Sequence, residues 1–237
     1  MKHGEARFLS CMYVLSLTLL AIYAIRGLTG AVAASAPPER LFILDAGHGG
    51  MDGGSVSPGG TEEADINLAI TLRAETLLGF LGERTLLTRT SQSDLSAEDA
   101  VTISQKKVSD IRNRVALVNN HSNAILISIH QNTYPDPSCR GPQVFYGKKQ
   151  GSQTLAELIR ENFHTALVPD SHRAAKPIPV DVYLMNHITV PGVLVECGFL
   201  TNPEEEKKLT TEEYQIRVAL VLAGSAANYQ PEEDSGV

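Results

Sequence analysis

Six short apolar runs punctuate this chain, and most are separated by stretches of helical period or by glycine and proline. Residues 41–46, 85–90, 124–130, 143–147, 182–185 and 192–197 read as strands, buried where the run is continuously apolar. Between them the apolar positions recur at helical spacing. Ile66, Leu68, Ala69, Leu72, Leu77, Leu78 and Leu81 mark one face of a helix over residues 64–81. Val108, Ile111, Val115, Leu117 and Val118 mark another over 108–120, and Leu155, Leu158, Ile159 and Phe163 a third over 154–167. Residues 211–227 form a closing helix. The stretch 91–109 is polar and weakly periodic, which predicts a long loop leading into a helix and shaping access to a site. Strands alternating with helices predict an α/β fold: a single domain over residues 40–229, with a twisted, mostly parallel sheet and helices on both faces.

The chain begins differently. Lys2 and Arg7 precede residues 8–25, eighteen residues without a charge. Cleaved signal peptides usually carry an apolar run of ~7–15 residues, whereas a bilayer span needs roughly 17–25. Residues 1–36 therefore read as a signal peptide or signal anchor with its linker, and the cations ahead of it send the body out of the cytoplasm. The small residues at 31–36 suit cleavage, so removal and retention both stand. Pro37-Pro38 cuts this segment from the first strand. The acidic tail, residues 230–237, is expected to fray.

Composition narrows the function. Of 237 residues, 43% are hydrophobic, enough for one sizeable core, and the net charge of −7 with no basic run argues against nucleic acid. The membrane enters only through the N-terminal segment. Three cysteines, Cys11, Cys139 and Cys197, form no Cys-x-x-Cys and read as structural thiols; a Cys139–Cys197 disulfide after export stays open.

The chemistry gathers at strand ends. His48 follows the first strand inside Gly47-His48-Gly49-Gly50-Met51-Asp52-Gly53-Gly54. A nucleotide cradle is excluded there, because Asp52 occupies the last glycine position of Gly-x-Gly-x-x-Gly. His130 ends an otherwise apolar strand, where an imidazole needs hydrogen bonds or a metal. Two histidines at strand ends favour shared coordination, and with a carboxylate they suit zinc with an open position. Glu62, Glu63 and Asp65 all fit the first turn of a helix, which favours acids without any catalysis. Glu196 interrupts an apolar strand, where burial raises a carboxyl pKa toward values useful to a general base. Its alternative is an ion pair with Arg89, Arg112 or Arg114, the same arginines that could grip a substrate carboxylate. No Gly-x-Ser-x-Gly occurs, and Cys197 inside a strand is a poor nucleophile.

Several blocks, in order, resemble the zinc-dependent N-acetylmuramoyl-L-alanine amidases. They are Asp45-Ala46-Gly47-His48-Gly49-Gly50, Glu63 four residues before Asn67-Leu68, Leu87-Thr88-Arg89, Arg112-Asn113-Arg114-Val115, Ser128-Ile129-His130-Gln131-Asn132 and Val195-Glu196-Cys197-Gly198-Phe199-Leu200-Thr201-Asn202-Pro203. Ala46 and Gln131 depart from that pattern, which often has Pro and a small residue there. The short catalytic chain is similar to the germination-specific spore cortex subfamily. The resemblance selects Glu63 over Glu62 and implies that His48, Glu63 and His130 hold Zn²⁺ while Glu196 is catalytic. Arg89, Arg114 and Asn132 are candidate substrate-binding residues. It implies an exported enzyme on peptidoglycan, cutting between the lactyl group of N-acetylmuramic acid and L-alanine ahead of muramic-δ-lactam formation. An accessory protein of unknown kind is an open partner. The rival readings are a zinc peptidase of the cell wall and a non-catalytic peptidoglycan-binding domain; the absence of Trp and 5% aromatic content weigh against the latter.

Overall fold

Residues 40–231 are described by the structure, a computed structural model. The chain runs β1 (Leu41–Ala46), α1 (Glu63–Phe80), β2 (Arg84–Leu87), α2 (Ile103–Asn119), β3 (Ala124–Asn132), β4 (Gln143–Tyr146), α3 (Ser152–Ala166), β5 (Lys176–Pro177), α4 (Tyr183–His187), β6 (Gly192–Phe199), α5 (Pro203–Leu209) and α6 (Glu212–Asn228). The expected export segment and most of the acidic tail lie outside the described residues. Among those residues, no helix is long and apolar enough to cross a membrane.

The strands form one sheet in the order β2-β1-β3-β6-β4-β5. β2, β1, β3 and β6 are parallel, β4 runs antiparallel to β6, and β5 is parallel to β4. Side chains alternate across the pleat. Phe42, Leu44, Ile127, Ile129, Val193 and Val195 meet residues of α1, α3 and α6 in one cluster. Ile43, Leu126 and Leu194 pack in a second cluster with Val118 of α2 and Leu184 and Met185 of α4. Both faces are thus covered, which is why the central strands are almost continuously apolar.

Polar residues replace apolar ones only toward the carboxyl ends of β1, β3 and β6. There the register sets Asp45 beside Ser128 and His130 beside Glu196, with Gln143 of β4 on the other side of Glu196. Ligands of open α/β sheets collect at this edge.

The structure corrects several expectations. Residues 182–185 are not a strand: they enter α4, which buries Leu184 and Met185 and stacks Tyr183 on His187, four residues on, at 3.8 Å. α2 begins at Ile103, ahead of the expected 108, because Thr102 and Gln105 form a reciprocal capping box. β2 ends at Leu87, and Thr88 and Arg89 turn their side chains onto the end of β1. α5 was not anticipated, although Asn202 caps it and Pro203 opens it, a start signal in its own right. Cys139 and Cys197 are both free thiols, so the open disulfide does not form.

α5 and its cap fasten two loops and the end of β6 at the site's edge. Asn202 donates to the carbonyls of Pro137 and Cys139 at 2.9 and 3.3 Å. Glu205 accepts from the amides of Gly141 and Phe199, each at 2.8 Å. Glu206 accepts from the hydroxyls of Ser57 and Thr61.

Candidate active site

β1 runs directly into Gly47-His48. His48 has a φ of 62°, and among the described residues it is the one non-glycine in the left-handed region. Strain of that kind persists where surrounding bonds hold it, and it concentrates at functional sites. Arg114 supplies one such bond, donating to the His48 carbonyl at 2.7 Å. The ring is anchored through Nδ1, which lies 3.0 Å from Asp52 Oδ2, so Nε2 faces inward.

Glu63 is the first residue of α1. The helix lacks a side-chain cap, because the loop ahead of it satisfies its first amides: Glu63 N–H donates to Ser55 O and Ala64 N–H to Gly53 O. That wrapping buries Glu63, while Glu62 and Asp65 face solvent. Its carboxylate is then held from all sides. Oε2 accepts from the Ser55 amide at 3.0 Å, and Oε1 accepts from the Gln131 amide at 3.0 Å and Asn67 Nδ2 at 3.2 Å.

Both imidazoles converge on Glu63. His48 Nε2 lies 3.3 Å and His130 Nδ1 2.9 Å from Oε1, and the ligand atoms of the three residues all fall within 4.8 Å of one another. Ligands ~2.0–2.1 Å from a tetrahedral zinc are about 3.3 Å apart, so the spacing fits such an ion. The charges fit too. Burial opposes charge on both groups, yet the two imidazoles hold Glu63 below the usual carboxylate range, and Asp52 and Glu63 raise His48 to about 9. The site favours a cation, for which a metal competes with the proton.

Close backbone approach makes room for this cluster. A Cβ on Gly47 would fall on the His130 ring. Gly47→Ala is therefore expected to push His130 away from Glu63 and weaken any divalent ion held between them; after equilibration with buffered zinc the folded variant should carry less metal than the parent, and equal content would refute the constraint.

Glu196 faces the cluster from β6, the neighbour of His130 across the β3–β6 pair. It is half-buried, and Oε2 is buried with no hydrogen-bond partner among the described residues. Burial pushes its carboxyl up to about 7; the charge of Glu63 adds to this, while His130 and His48 oppose it. An unpaired buried carboxylate that titrates near neutrality can both take and return a proton.

The arginines sit elsewhere. Arg89 is 3% exposed, and its donors go to the carbonyls of Ala46, Gly47, Ala64 and Ser91. Arg114, 2% exposed, binds Asp45, Asp110 and the carbonyls of Ala46 and His48. Each spends four of its five N–H donors on these bonds, which brace the end of β1, and neither pairs with Glu196. Arg112 is exposed on α2. Asn132 is half-buried two residues beyond His130. Cys197 is fully buried and its thiol is pushed up by burial, which makes it inert as a nucleophile.

Two supporting residues escaped the sequence reading. Asn67 donates to Gly47 O as well as Glu63, and Gln131 Nε2 donates to Asn67 Oδ1 at 3.1 Å, tying the three ligand-bearing elements together. Asn67, four residues after Glu63 on one helical face, was the available signal. The polar stretch after β2 also braces the site: the Gly50 amide donates to Gln92 O at 2.6 Å.

The family profile described as N-acetylmuramoyl-L-alanine amidase matches residues 42–227. The chain belongs to this amidase family. The germination-specific N-acetylmuramoyl-L-alanine amidase of Bacillus subtilis (strain 168) is 36% identical over 195 residues, 82% of this chain and 81% of that protein. The structure of the CwlD amidase from Clostridioides difficile, in complex with the GerS lipoprotein, superposes with a TM-score of 0.77 at 38% identity, covering 81% of this chain and 98% of that one. The amidase AmiC2 of Nostoc punctiforme follows at a TM-score of 0.69 and 26% identity, with 82% and 98% covered. The amidase domain thus contains the converged histidine–carboxylate cluster at the carboxyl edge of its sheet.

Proposed function

We propose that this amidase is zinc-dependent and works on spore cortex peptidoglycan outside the cytoplasm. In this reading His48, Glu63 and His130 hold the metal and Glu196 is the catalytic carboxylate. The bond cut joins the lactyl group of N-acetylmuramic acid to L-alanine, and the bared muramic acid becomes available for δ-lactam formation, the mark read at germination. The observation that carries the proposal is the convergence of two imidazoles and a carboxylate at near-ligand spacing, one strand away from an unpaired buried carboxylate. The B. subtilis relative supports the germination role, and the GerS complex of the C. difficile relative supports an accessory partner for this chain.

Zinc bound there supplies Lewis acidity toward the lactyl carbonyl and lowers the pKa of a water toward ~7. The protein's own contribution is placement and proton transfer. Asp52 orients His48, and Gln131 and Asn67 hold Glu63 through its Oε1 side. Glu196 takes the proton of the attacking water and delivers it to the alanine nitrogen as the C–N bond breaks. Its raised pKa lets it serve as base and then as acid.

Incubation of the chain with purified cortex and vegetative peptidoglycan, with and without chelator, tests the reading. Whole stem peptides beginning at L-alanine are the expected product, lost on chelation and restored by zinc. Cleaved stem peptides would assign a peptidase instead, and turnover insensitive to chelation would remove the metal from the reading.

A further inference from the structure

We infer that Asp52 is a positioning residue for the metal site, braced by Lys107, and that this pair sets how tightly His48 binds zinc. The inference rests on the zinc reading above. Its first support is the backbone. Gly49 and Asp52 exchange amide–carbonyl bonds of 2.8 and 3.0 Å, closing a tight reversal that returns the Asp52 carboxylate onto the His48 ring. The second is the division of labour between the carboxylate oxygens. Oδ2 lies 3.0 Å from His48 Nδ1, while Oδ1 receives Lys107 Nζ at 2.8 Å and the Gly54 amide at 3.3 Å.

Imidazole has two nitrogens, and the one facing a metal must be unprotonated. A carboxylate on the rear nitrogen keeps the proton there, fixes the ring's orientation and strengthens the donor in front. Asp52 takes the Nδ1 side of His48, leaving Nε2 toward Glu63. Lys107 belongs to α2, seven residues before Arg114, so the two share one side of the helix. Lys107 holds Asp52, and Arg114 holds the His48 carbonyl. The helix thus grips both ends of the Gly-rich reversal, ring partner and backbone alike. The Lys107 side chain is 52% exposed, so shortening it opens no cavity.

Zinc affinity of the full chain, read by competition with a chromophoric chelator, tests this without reference to turnover. Asp52→Ala is expected to bind zinc about 10- to 100-fold more weakly, with Asp52→Asn in between. Lys107→Gln is expected to weaken binding at most about five-fold, as for an exposed pair. Nitrogen-15 shifts of His48 in the metal-free chain, recorded above about pH 10 where the ring is neutral, should show one tautomer in the parent and a mixture in Asp52→Ala. Equal affinity in parent and Asp52→Ala, or an unchanged tautomer, overturns the positioning role. Tighter binding in Lys107→Gln overturns the bracing role, since removing a cation would then matter more than holding Asp52. If Asp52→Ala fails to fold, Asp52→Asn and Lys107→Gln still decide the matter. A parent chain that binds no zinc would instead overturn the zinc reading and leave the histidine geometry to the tautomer measurement.

Discussion

Glu196→Gln is expected to lower the turnover of this amidase by about 10²- to 10⁴-fold, the usual contribution of a positioned acid–base group, while zinc content stays unchanged. The amide keeps the side chain's size, and no hydrogen bond to Oε2 is lost among the described residues. Only the proton acceptor disappears. Turnover near the parent level would remove Glu196 from the mechanism. The same substitution carries a stability signature in the zinc-free protein. Glu196 titrates near 7, above the ordinary ~4.3 of a glutamate. A raised carboxyl pKa means that stability present below the unfolded value is lost as pH rises through the folded one. The zinc-free parent should therefore weaken relative to Glu196→Gln between about pH 4.5 and 7. The gap should reach on the order of 3–4 kcal/mol above pH 8 and vanish below pH 4. Thermal melts of both proteins across this range check it; a gap that does not depend on pH would refute it.

Arg114→Leu should unfold the domain far more readily than any change at its surface. Asp45 is fully buried, and its carboxylate receives Arg114 at 2.6 Å, Ser128 at 2.6 Å and Thr88 at 2.9 Å. Burial alone would raise Asp45; the Arg114 guanidinium, with help from His130 and Ser128, instead holds it at about 2. Removing Arg114 strands this charge and also leaves the carbonyls of Ala46 and His48 without that donor. Breaking a buried pair on one side costs about 3–5 kcal/mol, which for a domain of this size lowers the melting temperature by on the order of 10 °C. The contribution of Asp45 is present above its ordinary pKa and is lost as pH falls toward 2, so parent and variant should converge in acid. A loss below about 1 kcal/mol at neutral pH would show that the network is not what secures the end of β1.

Much of this arrangement was legible in the sequence, for a local reason. The apolar runs of β1, β3 and β6 declare central strands because both sheet faces are covered, so the polar residues at their ends, His48, His130 and Glu196, stand out. Glu63 was not legible from the residues alone. Glu62, Glu63 and Asp65 all suit a first turn, and only the loop carbonyls of Ser55 and Gly53 decide which one turns inward. The bracing bonds of Arg89 and Arg114 were not legible, because most of their partners are main-chain carbonyls, which leave no mark in a sequence. Residues 182–185 misled for a different reason: four residues cannot distinguish a period of two from one of 3.6. The link from Lys107 to Asp52 spans two elements whose contact is visible only once they are folded.

α5 gives the site a property its ligands alone would lack. This single short helix latches the loop before Glu63, the loop after His130 and the end of the Glu196 strand. Were it to fray, all three would be released at once. Local opening is therefore expected to be cooperative here: the histidine–carboxylate edge should open and close as one small folding unit, with a half-assembled site the least favoured state.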